Sequence, residues 1–262
     1  MSAYPNQVKR QLAAGQLALG MVLRQARTVD ISTIAKTCGF DWISIDMEHT
    51  SLDLDTAAQI ANASLAVGIA PIVRVPGKEH YHASRLLDSG AQGIIVPHVD
   101  TAEDAKAMVS HCRYPPVGKR SLGSIQPQLA FASPPAEKAM RQVDEEILLV
   151  AMLESPEAIE NADAIAAVPG VDVLHIGTGD LCAEMGIPGR FSDPKIEKAY
   201  RDVTDACRRH GKHAGMAGIY DANLARKFVD FGIRFVAGGT DLNFLMAGAR
   251  ERSKLLRGLL AG

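Results

Sequence analysis

Eight short apolar runs rich in Val and Ile alternate along the chain with longer segments of helical period, and this alternation limits the fold more than any other feature. The runs cover 17–22, 42–46, 70–75, 93–96, 148–153, 171–176, 213–216 and 235–238. Between them the pattern predicts helices at 31–38, 54–67, 81–88, 102–112, 156–167, 194–210 and 222–231. Most of these stop near a glycine (Gly39, Gly68, Gly90, Gly211, Gly232), where a left-handed cap returns the chain to the next strand. Repeated strand and helix units of this kind build a parallel sheet. With 262 residues the chain has room for all eight units of a (β/α)8 TIM barrel, read as a single α/β domain over 1–262. An open doubly wound sheet is the rival, but the first strand-to-helix turn lacks the G-x-G-x-x-G of its dinucleotide-binding form.

Two segments fall outside the repeat. The stretch 113–146, with RYPPVGKRSLGS and a Pro- and Ala-rich continuation, is expected to be a lid or an inter-subunit contact. The end of the chain places Leu242, Leu245, Met246, Ala249, Leu256, Leu259 and Leu260 at helical spacing, so it must pack on its own barrel or on a neighbour's.

Composition excludes several classes. A net charge of −2 without a basic run argues against nucleic acid as a partner. No run reaches the length of a membrane span and the N-terminus lacks a signal-peptide core, which makes a cytoplasmic location the expectation. Cys38, Cys112, Cys182 and Cys207 form no C-x-x-C pair and read as reduced, mostly buried thiols.

In such a barrel the active site gathers at the C-terminal ends of the strands. The polar residues there are Asp46, Glu48 and His49 after the second run, Arg74 after the third, His98 and Asp100 after the fourth, Glu154 after the fifth, Asp180 after the sixth, and Thr240 and Asp241 after the eighth. Glu154 and Asp180 follow adjacent strands, and a divalent cation would relieve their repulsion; oxygen ligands suit Mg²⁺ or Mn²⁺, with Co²⁺ or Zn²⁺ as further candidates. Caps or surface ion pairs are the bland alternative. The IGTGD turn would let a carboxylate or phosphate approach the backbone N–H groups of Gly179 and Asp180. His49 is a candidate general base, with Asp88 as a candidate to orient it or a water. Arg74, a charge closing a buried strand, needs an anion, either a substrate oxyanion or a rim acid. His80 and His82, two apart, do not form a metal pair on one helix face. No Lys stands at these strand ends, which weighs against Schiff-base chemistry.

The segments GFDWISIDMEHTSLD, PIVRVP, LLDSGAQGIIVPHV, RYPPVGKRSLG, LES and HIGTGDLCAEMG, in that order and spanning nearly the whole chain, resemble the HpcH/HpaI family of metal-dependent (class II) pyruvate aldolases. The resemblance implies a barrel of the phosphoenolpyruvate/pyruvate-binding type. It implies a lyase that cleaves a 4-hydroxy-2-oxo acid to pyruvate and an aldehyde, with Glu154 and Asp180 as metal ligands. It assigns Gly179 and Asp180 to the pyruvate carboxylate, Arg74 to the enolate oxygen, and His49 to the proton, with Asp88 and Asp46 from a neighbouring subunit. Members are often homo-hexamers, trimers of dimers, with the last helix exchanged between barrels. Met152 stands where a glutamine is usual and Ser121 where a glycine is usual. The rivals are a CoA-ester lyase of the citrate-lyase β-subunit type, an oxaloacetate-like decarboxylase, and a barrel used only for binding.

Overall fold

The computed structural model describes residues 3–123 and 125–259. Eight parallel strands close into a barrel in sequence order: β1 (Ala18–Leu23), β2 (Trp42–Asp46), β3 (Ala70–Arg74), β4 (Gly93–Val96), β5 (Leu148–Leu153), β6 (Val173–Gly177), β7 (His213–Ala217) and β8 (Ile233–Thr240). The open doubly wound alternative is thereby excluded. The helices are α1 (Gln7–Ala13), α2 (Ile31–Thr37), α3 (Leu54–Val67), α4 (His80–Asp88), α5 (Ala102–Cys112), α6 (Ala136–Glu146), α7 (Pro156–Glu160), α8 (Ala162–Ala166), α9 (Thr178–Glu184), α10 (Pro194–Arg209), α11 (Ala222–Phe231) and α12 (Asp241–Gly258). No helix among the described residues is long and apolar enough to cross a membrane.

Side chains alternate between the two faces of a strand, so every second residue points into the barrel. Trp42, Ile72, Ile95, Leu148, Val150, Val173 and Phe235 fill the interior, and Val8 and Leu12 of α1 join the same cluster. Trp42 stacks on Phe235 with ring centroids 4.1 Å apart. A Cβ at position 20 would lie 2.2 Å from the indole, so Gly20 makes room for it. The alternate residues Ile43, Ile45, Val73, Ile94, Leu149 and Ile176 point outward into the larger core beneath the helices. Continuing the inward register upward places Asp46 above Trp42, Arg74 above Ile72, and Glu154 above Met152.

The structure differs from the sequence-based expectation in particular places. Strand β8 begins at Ile233 and runs to Thr240, longer than the expected run. The helix expected over 156–167 is two short helices meeting at Asn161, whose amide donates to the Asp100 carbonyl at 2.8 Å. Helices α1, α6 and α9 were not anticipated. Stretch 113–146 joins the C-terminus of α5 to the start of β5 and therefore lies at the N-terminal end of the barrel, where Arg113 grips Asp172 at 2.7 Å. It is no lid over its own barrel mouth. Helix α12 has no buried residue, and Leu245, Leu255, Leu256 and Leu259 stand exposed. Only its start rests on its own barrel, where Phe244 lies 5.9 Å from Phe40 between ring centroids; Leu260 lies outside the described residues.

Candidate active site

The mouth at the C-terminal ends of the strands carries a connected series of acids, an arginine and two histidines. Asp46, fully buried at the end of β2, accepts from Arg74 Nε at 3.0 Å and Nη2 at 2.7 Å. It also accepts from the backbone N–H groups of Glu48 at 3.1 Å and His49 at 3.3 Å, which shapes the DMEH turn. Burial works against the charge on Asp46, but the Arg74 guanidinium outweighs it and holds the carboxyl below the usual range. The third Arg74 nitrogen, Nη1, lies 2.9 Å from Glu48 Oε2 and 4.0 Å from the Met152 sulfur. Of the two partners expected for Arg74, the structure shows the rim acids, and Arg74 also lines the cavity at the mouth.

Glu48 passes the series on to two histidines. Its Oε2 is 3.5 Å from His49 Nε2 and its Oε1 is 3.7 Å from His98 Nε2. His98 then reaches Glu154 through its backbone N–H at 3.3 Å and Nδ1 at 3.8 Å. His98 takes a left-handed backbone, φ 50°, which is uncommon outside glycine and turns its N–H toward Glu154. Both imidazoles are about half exposed.

Glu154 is 1% exposed. Burial is the main cause that pushes its carboxyl up to about 7, with His98 working against the rise and Glu48 adding to it. Its Oε1 lies so close to Gly177 that a Cβ there would stand 2.4 Å away, so the glycine is a cradle for the carboxylate. Strands β5 and β6 pair with Leu153 opposite Ile176, which sets Glu154 and the first turn of α9 side by side on the rim. Gly179 and Asp180 are exposed there, and open space surrounds the Gly179 Cα. The turn is anchored from below: Thr178 Oγ1 donates to the Ala217 carbonyl at 2.6 Å and lies 2.7 Å from the Tyr200 hydroxyl.

A buried carboxylate with no Lys or Arg nitrogen within ion-pair distance among the described residues, beside a second carboxylate on an exposed turn, is a donor set that fits a hard divalent cation. No group of three or more His, Cys, Asp or Glu side chains is placed to hold a metal among the described residues. Beneath this rim lies a cavity of about 130 Å³ lined by Arg24, Ser44, Asp46, Arg74, Met152 and His175, among others. A larger groove, about 740 Å³, runs outside the barrel between α8 and α10 and is lined by exposed Lys, Asp and Arg, away from every residue of the rim.

Of the residues singled out from sequence, Asp46, Glu48, His49, Arg74, His98 and Glu154 come together. Asp88 does not join them within one chain. It ends α4, five residues before β4 begins, at the opposite end of the barrel, where Arg120 Nη2 donates to it at 2.6 Å. Asp241 supports the β1 loop instead of the mouth, accepting from the N–H groups of Arg24, Gln25 and Ala26 at 2.7–2.9 Å. Ser121 is exposed, far along the stretch at the other end. Four mouth residues carried no assigned role from sequence: Arg24, Tyr220, His175, and His98 as a bridge. His175 is fully buried, and burial pushes its imidazole down to about 3, so it is neutral.

A closed parallel barrel with acids, histidines and an arginine converging at its C-terminal mouth has the layout of a TIM-barrel enzyme. Comparison with known proteins gives the family. The chain belongs to the HpcH/HpaI aldolase/citrate lyase family, whose model matches residues 21–247. It is 40% identical over 255 residues to a 4-hydroxy-4-methyl-2-oxoglutarate aldolase of Hapsidospora irregularis, covering 96% of this chain and 94% of that one. It is 35% identical over 253 residues to a hydroxypyruvate/pyruvate aldolase of Pseudomonas aeruginosa, covering 97% and 93%. A solved HpcH/HpaI aldolase from Desulfitobacterium hafniense superposes with a TM-score of 0.90 at 29% identity, covering 95% and 96%. Relatives with these names are carbon–carbon lyases, and they favour the aldolase side of the family over the citrate-lyase side.

Proposed function

We propose that the protein is a divalent-metal-dependent aldolase that cleaves 4-hydroxy-2-oxo acids to pyruvate and an aldehyde or ketone. The observation that carries this reading is Arg74, clamped by Asp46 and Glu48 so that its guanidinium faces the same mouth as Glu154. Glu154 and Asp180 would hold Mg²⁺ or Mn²⁺, which when bound supplies positive charge against the oxygens of the oxo acid. The backbone N–H groups of Gly179 and Asp180, on that exposed turn, would meet the substrate carboxylate.

The residues divide the work of the cleavage. His49, exposed at the rim, takes the 4-hydroxyl proton through a water. The O–H electrons form the C4 carbonyl, the C3–C4 bond breaks, and its electron pair moves toward the 2-oxo oxygen. Arg74 faces the charge that develops there, and because Asp46 and Glu48 already fix it, little reorganisation is needed as the charge appears. A proton delivered to C3 completes pyruvate. Asp46, ionised and fully engaged, positions Arg74 and the DMEH turn. Asp88 reaches a mouth only as a residue of a neighbouring copy, so its part in proton handling belongs to a homo-oligomer, for which a hexamer is the expected form.

The test is pyruvate release from 4-hydroxy-2-oxo acids by the chelated protein, before and after addition of Mg²⁺ or Mn²⁺. Release only with metal supports the reading. Metal binding without release from any such acid would overturn it in favour of a CoA-ester lyase or another enolate reaction.

A further inference from the structure

The mouth holds a second arginine that the cleavage does not use. Arg24 is the first residue after β1, and its backbone is pinned by the Asp241 carboxylate at 2.8 Å, with the next two N–H groups held by the same side chain. Such a clamp leaves the loop little freedom. The Arg24 side chain lies over the cavity with Arg74 and Tyr220, and 39% of it is exposed. Its Nη2 donates to the His49 carbonyl at 3.1 Å, which directs the guanidinium across the mouth.

The charge on Arg24 lacks a matched partner. The nearest acid is Asp46, 3.8 Å from Nε, and both Asp46 oxygens already accept from Arg74. Glu48 is engaged by Arg74 as well. Among the described residues no other acid lies within ion-pair distance of Arg24. A guanidinium offers five N–H donors in a planar fork, and here Nη2 donates to the His49 carbonyl while the side chain lines the cavity.

Its position relative to the rest of the mouth identifies what it would meet. Glu154 and Asp180 follow β5 and β6, while Arg24 follows β1, which pairs with β8 and β2 on the far side of the barrel. If the oxo-acid half is held on the β5–β6 side and near Arg74 on β3, the carbons beyond C4 extend toward β1, β8 and the loop after β7 that carries Tyr220. Burial raises the Tyr220 hydroxyl, so it stays protonated and adds a neutral donor beside Arg24. We propose that Arg24 is a specificity-determining residue that binds a carboxylate on the C4 side of the substrate, so that the preferred substrates are dicarboxylic 4-hydroxy-2-oxo acids and the released carbonyl compound is itself an acid. This rests on the aldolase reading only for the direction in which the substrate lies.

The experiment compares two non-reacting analogues of equal length, 2-oxoglutarate and 2-oxopentanoate, which differ by a terminal carboxylate against a methyl group. Calorimetric binding to the full-length protein with Mg²⁺ should favour 2-oxoglutarate, and Arg24→Gln should reduce that preference by about 10- to 100-fold, the usual span for a charge-assisted hydrogen bond. Arg24→Lys, which keeps the charge without the fork, should retain part of it and guards against misfolding of the first variant. An unchanged ratio in Arg24→Gln, equal binding of the two analogues by the wild type, or binding of neither, overturns the proposal. Pyruvate release from 4-hydroxy-2-oxoglutarate is measured alongside. Its absence, with the Arg24-dependent binding ratio intact, would remove the aldolase reading and leave the carboxylate site standing.

Discussion

Asp46 takes the Arg74 guanidinium through both of its oxygens, and neither partner reaches bulk water freely: Asp46 is fully buried and the Arg74 side chain is 13% exposed. Paired in this way, the two ends of neighbouring strands act as one rigid cation mount. Replacing Asp46 by Asn keeps the volume and removes the charge. The expected result is a stability loss of about 1.5–3 kcal/mol in urea unfolding, since Glu48 still faces Arg74. Pyruvate release should fall at least about tenfold even in the fraction that remains folded, because the guanidinium is no longer fixed.

The proposed role of Glu154 as a metal ligand predicts that metal binding depends on pH. Its folded-state carboxyl is raised from 4.5 to about 7, so it must lose a proton before it serves as a ligand. Affinity for Mg²⁺ or Mn²⁺, followed by titration calorimetry, should climb as pH rises through about 7 and level off above. The metal-free protein should show the opposite trend in stability. The folded state holds this proton more tightly than the unfolded chain, so the stabilisation is complete below the unfolded value and is lost as pH rises through about 7. Thermal midpoints in EDTA that do not fall over that interval, or that fall equally in Glu154→Gln, would contradict this.

Gly177→Ala isolates the cradle. Its Cβ would stand 2.4 Å from Glu154 Oε1, so the carboxylate must move while the barrel closure is left in place. Metal affinity should drop by about 10- to 100-fold, the range found when the support of a ligand is disturbed. A circular dichroism spectrum matching the wild type would show that the fold survives.

His49→Ala should separate chemistry from binding. The imidazole is exposed and touches Glu48 but neither Glu154 nor Asp180. Turnover should fall by about 10²–10⁴-fold, the usual worth of a positioned general base, with metal affinity nearly unchanged. A large loss of metal affinity would mean that His49 acts through Glu48 and His98 on Glu154.

Much of the barrel was legible because its strands are uniformly apolar and its helices are not: β2, β4 and β5 and the helices over 54–67, 102–112 and 222–231 coincide with the sequence pattern residue for residue. What periodicity could not supply was direction. Arg24 follows an apolar run that ends one residue later than the pattern shows, so it reads as loop, and only the β1–β8 closure sets it over the mouth. His175 looked like one polar residue within a buried strand. Its inward register, opposite Met152, is a property of strand pairing and not of local sequence. Asp88 was legible as an acid near a conspicuous motif, but helices in this fold run back toward the other end, and that carries Asp88 away from His49. Helix α6 was hidden because the Pro-rich stretch before it reads as loop, and its apolar face is thin, with Val143 alone buried.

The clasp between Asp241 and the β1 loop has a bearing on how the protein is made. Residues that set the mouth are spread from Arg24 to Asp241, and the loop beside the first strand is fastened by the residue that opens the final helix. A chain growing from its N-terminus can form most of its strands early, yet it has no β8 to close against β1 and no carboxylate to hold the Arg24 backbone until residues 233–241 have been made. The two ends of the described chain are thus tied together at the mouth.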